Sequence, residues 1–266
     1  MSDKQRHEYQ KSRNTYRRLA RYLCTNTNSC TAELLTGFAG IGLAIAHFLL
    51  KRPCNLVVVA RSKEPLEQLK RQYPDQVQVL AGDLADFGLG QKAHDLATST
   101  WKRLDGLIVN HGILDPVKRV GNTEADEWRH LFDVNLFSAV SMVKACLPSL
   151  RESQGRIVLC SSGAASNAYA TWGAYGASKA ALNHFALTLA TEEPAVTTVS
   201  IRPGVVDTDM QKSIREVHRT NMDEKDAAKF HELKQSGGLL KPEQPGHVMA
   251  RLALDAPKEL TGKFLR

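Results

Sequence analysis

No run of apolar residues in this chain approaches the ~20 needed to span a bilayer, so no membrane segment is expected. There is no C-x-x-C pair and no pair of histidines at metal-binding spacing. The five cysteines, Cys24, Cys30, Cys54, Cys146 and Cys160, therefore read as isolated thiols of a reducing, cytoplasmic setting, not as a disulfide framework or a metal site. Net charge is also scarce outside one segment. Residues 1–31 hold seven lysines and arginines against Asp3 and Glu8, which accounts for +5 of the formal +7. The remainder is nearly balanced, which argues against a nucleic-acid-binding body.

Residues 1–31 lack any sustained helical or strand period and are rich in Arg, Asn, Thr, Ser and Gln. They are read as a basic, disordered or aberrant extension ahead of a single domain, 32–266. Their arginines admit a mitochondrial transit peptide, against which Asp3 and Glu8 count. A nucleic-acid arm would have only Tyr9, Tyr16 and Tyr22 to recommend it.

What is present is regular. The 266 residues suffice for a large core, and 24% charged with 42% hydrophobic residues is ordinary for a globular domain. Short apolar runs at 32–36, 56–60, 77–80, 107–109, 157–160 and 198–201 alternate with helical patterns near 43–50, 64–72, 89–103, 124–150 and 175–191. This order predicts an α/β fold: a single doubly wound, Rossmann-type parallel sheet with helices on both faces. A short last strand is expected at 260–265. The polar stretch 209–240, interrupted by Gly237 and Gly238, is read as a mobile cover over a substrate pocket.

Four strand ends carry candidate binding residues. The first strand runs into Thr36-Gly37-Phe38-Ala39-Gly40-Ile41-Gly42 and then a helix. Glycines let the backbone approach a phosphate, and the helix end offers free N–H groups to it. The second strand ends in Ala60-Arg61-Ser62 with no acid at its tip. An acid there would bind a free ribose 2'-hydroxyl, whereas Arg61 welcomes a 2'-phosphate, so NADP is favoured over NAD. Asp83, after the third strand, is placed to accept from an adenine amino group, and Asn110-His111-Gly112 closes the fourth.

The segment 155–189 carries the chemistry. The strand at 157–160 leads through a small polar loop, 161–173, into a long Ala- and Leu-rich helix. Tyr175 and Lys179 stand four apart and share one face of that helix. A nearby ammonium favours the phenolate and so lowers a phenol's pKa from about 10. Ser162, at the strand end, is placed to meet the phenol over a substrate oxygen. Such a set makes a proton donor for carbonyl reduction.

Taken together, T-G-x-x-G-I-G, Asp83, N-H-G, Asn135, Ser162, Tyr175-x-x-x-Lys179 and the P-G-x-V-x-T run Pro203–Thr208 resemble the short-chain dehydrogenase/reductase family from about residue 34 to the end. The run through 161–216 looks most like fungal reductases of the benzil reductase and sepiapterin reductase type. The resemblance implies that Tyr175 donates the proton, Lys179 lowers its pKa and binds the nicotinamide ribose, and Ser162 polarises a small-molecule carbonyl. It implies that Asn135 holds a water linking Lys179 to solvent. Gly37, Gly40, Ile41, Gly42, Arg61, Asp83, Asn110, Gly112, Pro203, Gly204, Val206 and Thr208 would surround NADP, with Thr208 near the carboxamide.

The chain departs from the family pattern in three places. Only Phe38 and Ala39 lie between Gly37 and Gly40, where the family usually has three residues. A turn shortened by one residue would aim its N–H groups away from the pyrophosphate. This motivates the alternative of a catalytically impaired protein that acts by partner binding. Glu33 stands where the first strand should be apolar, and His111 replaces a small residue. The apolar circumference of 135–150 and 175–191 exceeds one buried face, and the resemblance implies that these helices pair in a homodimer or homotetramer.

Overall fold

The computed structural model describes residues 31–266. The readings made for residues 1–30, with Cys24 and Cys30, lie outside the described residues. The strands are β1 (Thr31–Thr36), β2 (Cys54–Ala60), β3 (Val77–Ala81), β4 (Gly106–Val109), β5 (Arg156–Cys160), β6 (Thr197–Ile201) and β7 (Phe264–Leu265). They form one sheet in the order β3-β2-β1-β4-β5-β6-β7, and every adjacent pair is parallel.

The strands are continuously apolar because both sheet faces are covered, and alternate side chains go to opposite sides. On one face Leu35, Val58, Ile108, Val158 and Val199 pack with Ile45 and Leu49 of α1 (Ile41–Leu50) and Met249 and Leu252 of α9 (Glu243–Asp255). On the other, Leu34, Val57, Leu107, Ile157 and Leu159 meet α3 (Leu89–Trp101), α5 (Ser138–Glu152) and α6 (Gly173–Glu192). α2 (Lys63–Gln72) edges the first face through Leu66 and Leu69. Strand order reverses at β1. The connection leaving β1 goes to one face and that leaving β4 to the other, so a crevice opens between their C-terminal ends.

Two local expectations are corrected. The pattern at 124–150 is not one helix. It divides into α4 (Ala125–Phe132), a π-helical turn Asp133–Phe137, and α5. The whole run Ala125–Glu152 would pass for a membrane span by length and composition alone. In the fold, Leu131, Met142, Cys146 and Leu150 on it are buried in the core, while Phe137 and Val140 are exposed. The last strand is only Phe264–Leu265: Leu260 lies in a 3-10 turn, Lys258–Leu260, and Gly262 at φ 72° reverses the chain before pairing begins. The stretch 209–240 holds two helices, α7 (Asp209–Glu216) and α8 (Glu224–Gln235).

Glu33 occupies the interior of β1 with no solvent exposure, in register with Gly106 of β4. A Cβ on residue 106 would lie 1.8 Å from Glu33 Oε2, so the missing side chain there is what makes room for the carboxyl. Neither carboxyl oxygen finds a donor with sound hydrogen-bond geometry among the described residues. Burial, reinforced by Asp105, raises the pKa of Glu33 well above 4.5, against the weaker pull of Arg156 and Arg103. A raised folded-state pKa means that stability is greatest below pH 4.5 and falls as pH rises toward the folded value. Glu33→Leu should therefore stabilise the protein at pH 8 by about 1–4 kcal/mol, with a smaller gain at pH 5. Urea denaturation at both pH values checks this, and an equal or negative effect at pH 8 contradicts it.

Candidate active site

A cleft of about 520 Å³ runs along the C-terminal ends of the strands, from the tip of β2 across the β1/β4 crevice to the ends of β5 and β6. β5 delivers Cys160, Ser161 and Ser162 to it. Ser162 is extended and caps a 3-10 turn, Gly163–Ala165, its Oγ accepting the Ala164 N–H at 3.1 Å. α6 begins beside this turn, where a Cβ on Gly176 would be only 3.0 Å from the Ala164 carbonyl oxygen. This close approach brings the first turns of α6, with Tyr175 and Lys179, over the end of β5.

Both side chains are buried. Lys179 Nζ donates to the Cys160 carbonyl at 2.9 Å and lies 5.9 Å from the centre of the Tyr175 ring. The expectation that the ammonium lowers the phenol's pKa is not met in this state. Burial pushes Tyr175 up to about 12, against an opposing pull from Ser162. Burial also lowers Lys179, which spends one donor on a strand carbonyl. The Tyr175 phenol is thus held firmly protonated.

Asn135 sits in the π-helical turn, behind the cleft and not in its wall. Its Oδ1 accepts the Ile113 N–H at 2.8 Å, and its Nδ2 donates to the Ile113 carbonyl at 2.9 Å and to Ser178 Oγ at 3.2 Å. It therefore fastens the loop after β4 to α6. Gly112 on that loop is squeezed: a Cβ there would stand 3.2 Å from both Asn135 Oδ1 and Lys179 Nζ.

At the other end, the shortened turn is built. Gly37 at φ 78° and Gly40 at φ 50° carry the chain from β1 into α1, and residues from Gly37 to Ile41 line the cleft. Gly42 lies behind the turn, outside the cleft wall, where a Cβ would be 1.8 Å from the Gly37 carbonyl oxygen. The N-terminus of α1 has no side-chain cap and no acid in its first turn, which leaves its amide dipoles available to an anion. Asn110 Nδ2 braces the turn by donating to the Gly37 carbonyl at 3.2 Å. Arg61 is exposed at the β2 tip and lines the cleft, as does Asp83, whose Oδ1 also accepts the Ala85 N–H at 3.0 Å. After β6, Pro203, Gly204, Val206 and Thr208 line the same wall. Val206 bridges to Leu240, and Thr208 caps α7. A glycine cradle and an uncapped helix end along one cleft fit a nicotinamide dinucleotide.

Sequence reasoning missed one wall. Trp172 stacks on Phe230 at 5.5 Å and stands edge-on to Tyr175 at 5.9 Å, and Tyr169 lies 4.9 Å from Trp172. These rings face the cleft with Met210 and Ile214, over a small apolar cluster of their own. Tyr169 and Trp172 lie in an aperiodic loop, and Phe230 comes from α8, about sixty residues on, so no spacing announced them. Ties hold α7 and α8 over this wall: Lys234 to Asp207 at 2.7 Å, Asn221 Nδ2 to the Val117 carbonyl at 3.2 Å, Lys229 Nζ to Tyr169 Oη at 3.2 Å, and the Arg119–Asp223 ion pair.

Comparison with known proteins agrees with this geometry. Residues 32–219 match the sequence model of the short chain dehydrogenase family. The chain is 42% identical over 247 residues to the benzil reductase ((S)-benzoin forming) of Saccharomyces cerevisiae, covering 88% of this chain and 94% of that one. Among solved structures, the KRED1-Pglu enzyme superposes with a TM-score of 0.86 at 41% identity, over 88% of this chain and 99% of that one. A cytoplasmic protein of unknown function from Saccharomyces cerevisiae superposes with a TM-score of 0.75 at 38% identity, over 88% and 95% respectively.

Proposed function

Because the chain belongs to the short-chain dehydrogenase family, and is thus an oxidoreductase that works with a nicotinamide cofactor, we propose that it is an NADPH-dependent carbonyl reductase. The observation that carries this reading is that Tyr175 and Ser162 share one end of a cleft whose other end is the glycine turn at α1. The bound cofactor supplies the hydride. Ser162 Oγ already accepts the Ala164 N–H, so its own proton is free to hold the substrate oxygen, and Tyr175 gives its proton to that oxygen as charge develops. Lys179 binds the ribose beside the nicotinamide, and Asn135 holds the water between Lys179 and solvent. Gly37, Gly40 and Ile41 take the pyrophosphate, Asp83 the adenine, and Arg61 the 2'-phosphate. Asn110, Gly112, Pro203, Gly204, Val206 and Thr208, all in the cleft wall, would hold the nicotinamide half of the cofactor.

The aromatic wall selects the substrate. Flat or aryl-bearing ketones stack on Trp172, Tyr169 and Phe230, in keeping with a relative that is a benzil reductase, so 1,2-diketones head the substrate panel, followed by quinones and pterins. The partner-binding alternative is not favoured, since it rested on the shortened turn and that turn lines the cleft. Phe137, Val140 and Leu187, exposed on the helices of the second sheet face, support a homodimer or homotetramer in the cytoplasm. The expected outcome is recovery in the cytosolic fraction with a mass above the monomer by light scattering at micromolar concentration. A monomeric mass contradicts it.

With the phenol near 12, the donor form of Tyr175 is full throughout the neutral range. Benzil reduction should be flat between about pH 6 and 9, while the reverse oxidation, which needs the phenolate, should rise by about tenfold per pH unit. Tyr175→Phe should abolish both. Unchanged reduction in Tyr175→Phe, followed by NADPH absorbance, overturns the reading.

Arg61 is tested separately. Losing a charge-assisted contact to the 2'-phosphate costs about 1.5–3 kcal/mol, so Arg61→Ala should weaken NADPH binding roughly ten- to hundredfold and leave NADH almost unmoved. Equal losses for the two nucleotides, measured by fluorescence titration, would assign Arg61 a structural role instead.

A further inference from the structure

His111, the bulky residue in the N-H-G run, is buried at the β4 tip and bonded at both ring nitrogens. Nδ1 lies 2.7 Å from Thr36 Oγ1. Nε2 lies 2.9 Å from the Val134 carbonyl oxygen and 2.7 Å from Ser138 Oγ. A carbonyl can only accept, so Nε2 carries the proton, and Nδ1 accepts the Thr36 hydroxyl, whose one proton also has the Ile108 carbonyl oxygen within reach, 3.3 Å from Oγ1. The ring must be neutral for this. Burial, seconded by the nearby Lys179 charge, pushes its pKa down to about 3, so it stays neutral at any working pH.

The two partners stand at strategic points of the chain. Thr36 is the last residue of β1 and immediately precedes Gly37, and its Oγ1 also receives the Asn110 N–H at 3.2 Å. Val134 immediately precedes Asn135 in the π-helical turn, whose carbonyls are not held in the ordinary helical ladder. A Cβ on Gly37 would be 3.0 Å from the His111 backbone, so the turn is also seated against it directly. One imidazole thus spans the crevice between β1 and β4 and touches both the nucleotide end and the proton-transfer end of the site.

We propose that His111 is a positioning residue: through Nδ1 it sets the Gly37 turn, and through Nε2 it sets the π-helical turn that presents Asn135. The inference rests on the reductase reading of this cleft. The two arms separate by substitution, because the Asn carboxamide reaches only the Nδ1 position and the Gln carboxamide only the Nε2 position. His111→Gln should raise the NADPH dissociation constant roughly tenfold, the equivalent of one lost hydrogen bond, and change kcat for benzil less than that. His111→Asn should do the reverse, and His111→Ala should show both losses. Amide hydrogen exchange on the folded variants supplies a readout independent of turnover: residues 37–42 should exchange faster in the Gln variant, and residues 133–137 faster in the Asn variant. If the Asn and Gln variants behave alike, or if all three change only in melting temperature, His111 is a space-filling residue and the proposal falls. Should the native protein bind NADPH yet reduce no carbonyl, the reductase reading fails, while the binding and exchange comparisons still decide the role of His111.

Discussion

Everything that matters in this molecule depends on a topological constraint, the reversal of strand order at β1. A parallel sheet whose crossovers leave in opposite directions from two neighbouring strands cannot close the gap above them, because each connection is pulled to a different face. The β1/β4 crevice is therefore a by-product of packing, and the chain has furnished it. The positive-φ glycines turn β1 sharply into α1, and Asn110 and His111 bridge the gap from the β4 side. The next strand along, β5, ends in Ser162, and α6 is drawn close enough by Gly176 to lay Tyr175 and Lys179 over that end. The distances that define the site follow from two sheet faces being buried at once.

The fold was legible because a strand covered on both sides must be apolar throughout, which leaves short, unmistakable runs in the sequence. Elements that obey weaker rules were not. The π-helical turn at Asp133–Phe137 has the same apolar spacing as the helices on either side of it, so periodicity fused all three. The start of β7 was misplaced because a two-residue strand has too little pattern to show where Gly262 ends the turn before it. Of the predicted site residues, those on strand ends and on α6 line the cleft, while Asn135 and Gly42 stand one layer behind. Sequence spacing reports which residues share an end of the sheet, and it carries no information on depth.

The same lack of depth explains the phenol. Four residues of helix place Lys179 near Tyr175, and the charge alone argues for an acidic tyrosine. Burial enters only with the tertiary structure, and it dominates both groups: it raises the phenol and lowers the ammonium. A tyrosine held protonated suits a site that gives a proton more than one that takes it. Glu33 shows the reverse situation: a charged residue type inserted into β1 sits across from Gly106, where there is room for its carboxyl, and burial raises its pKa.

The aromatic wall has a further consequence for how the molecule breathes. Trp172, Phe230, Ile214 and Met222 belong to a cluster separate from the two that sandwich the sheet. α7 and α8 are held down by that cluster and by a few surface ties, not by the central strands. Elements attached through so small a core belong to the low-stability end of a fold. Tyr175 belongs to that same cluster, so the packing that seats α7 and α8 is also the packing around the phenol.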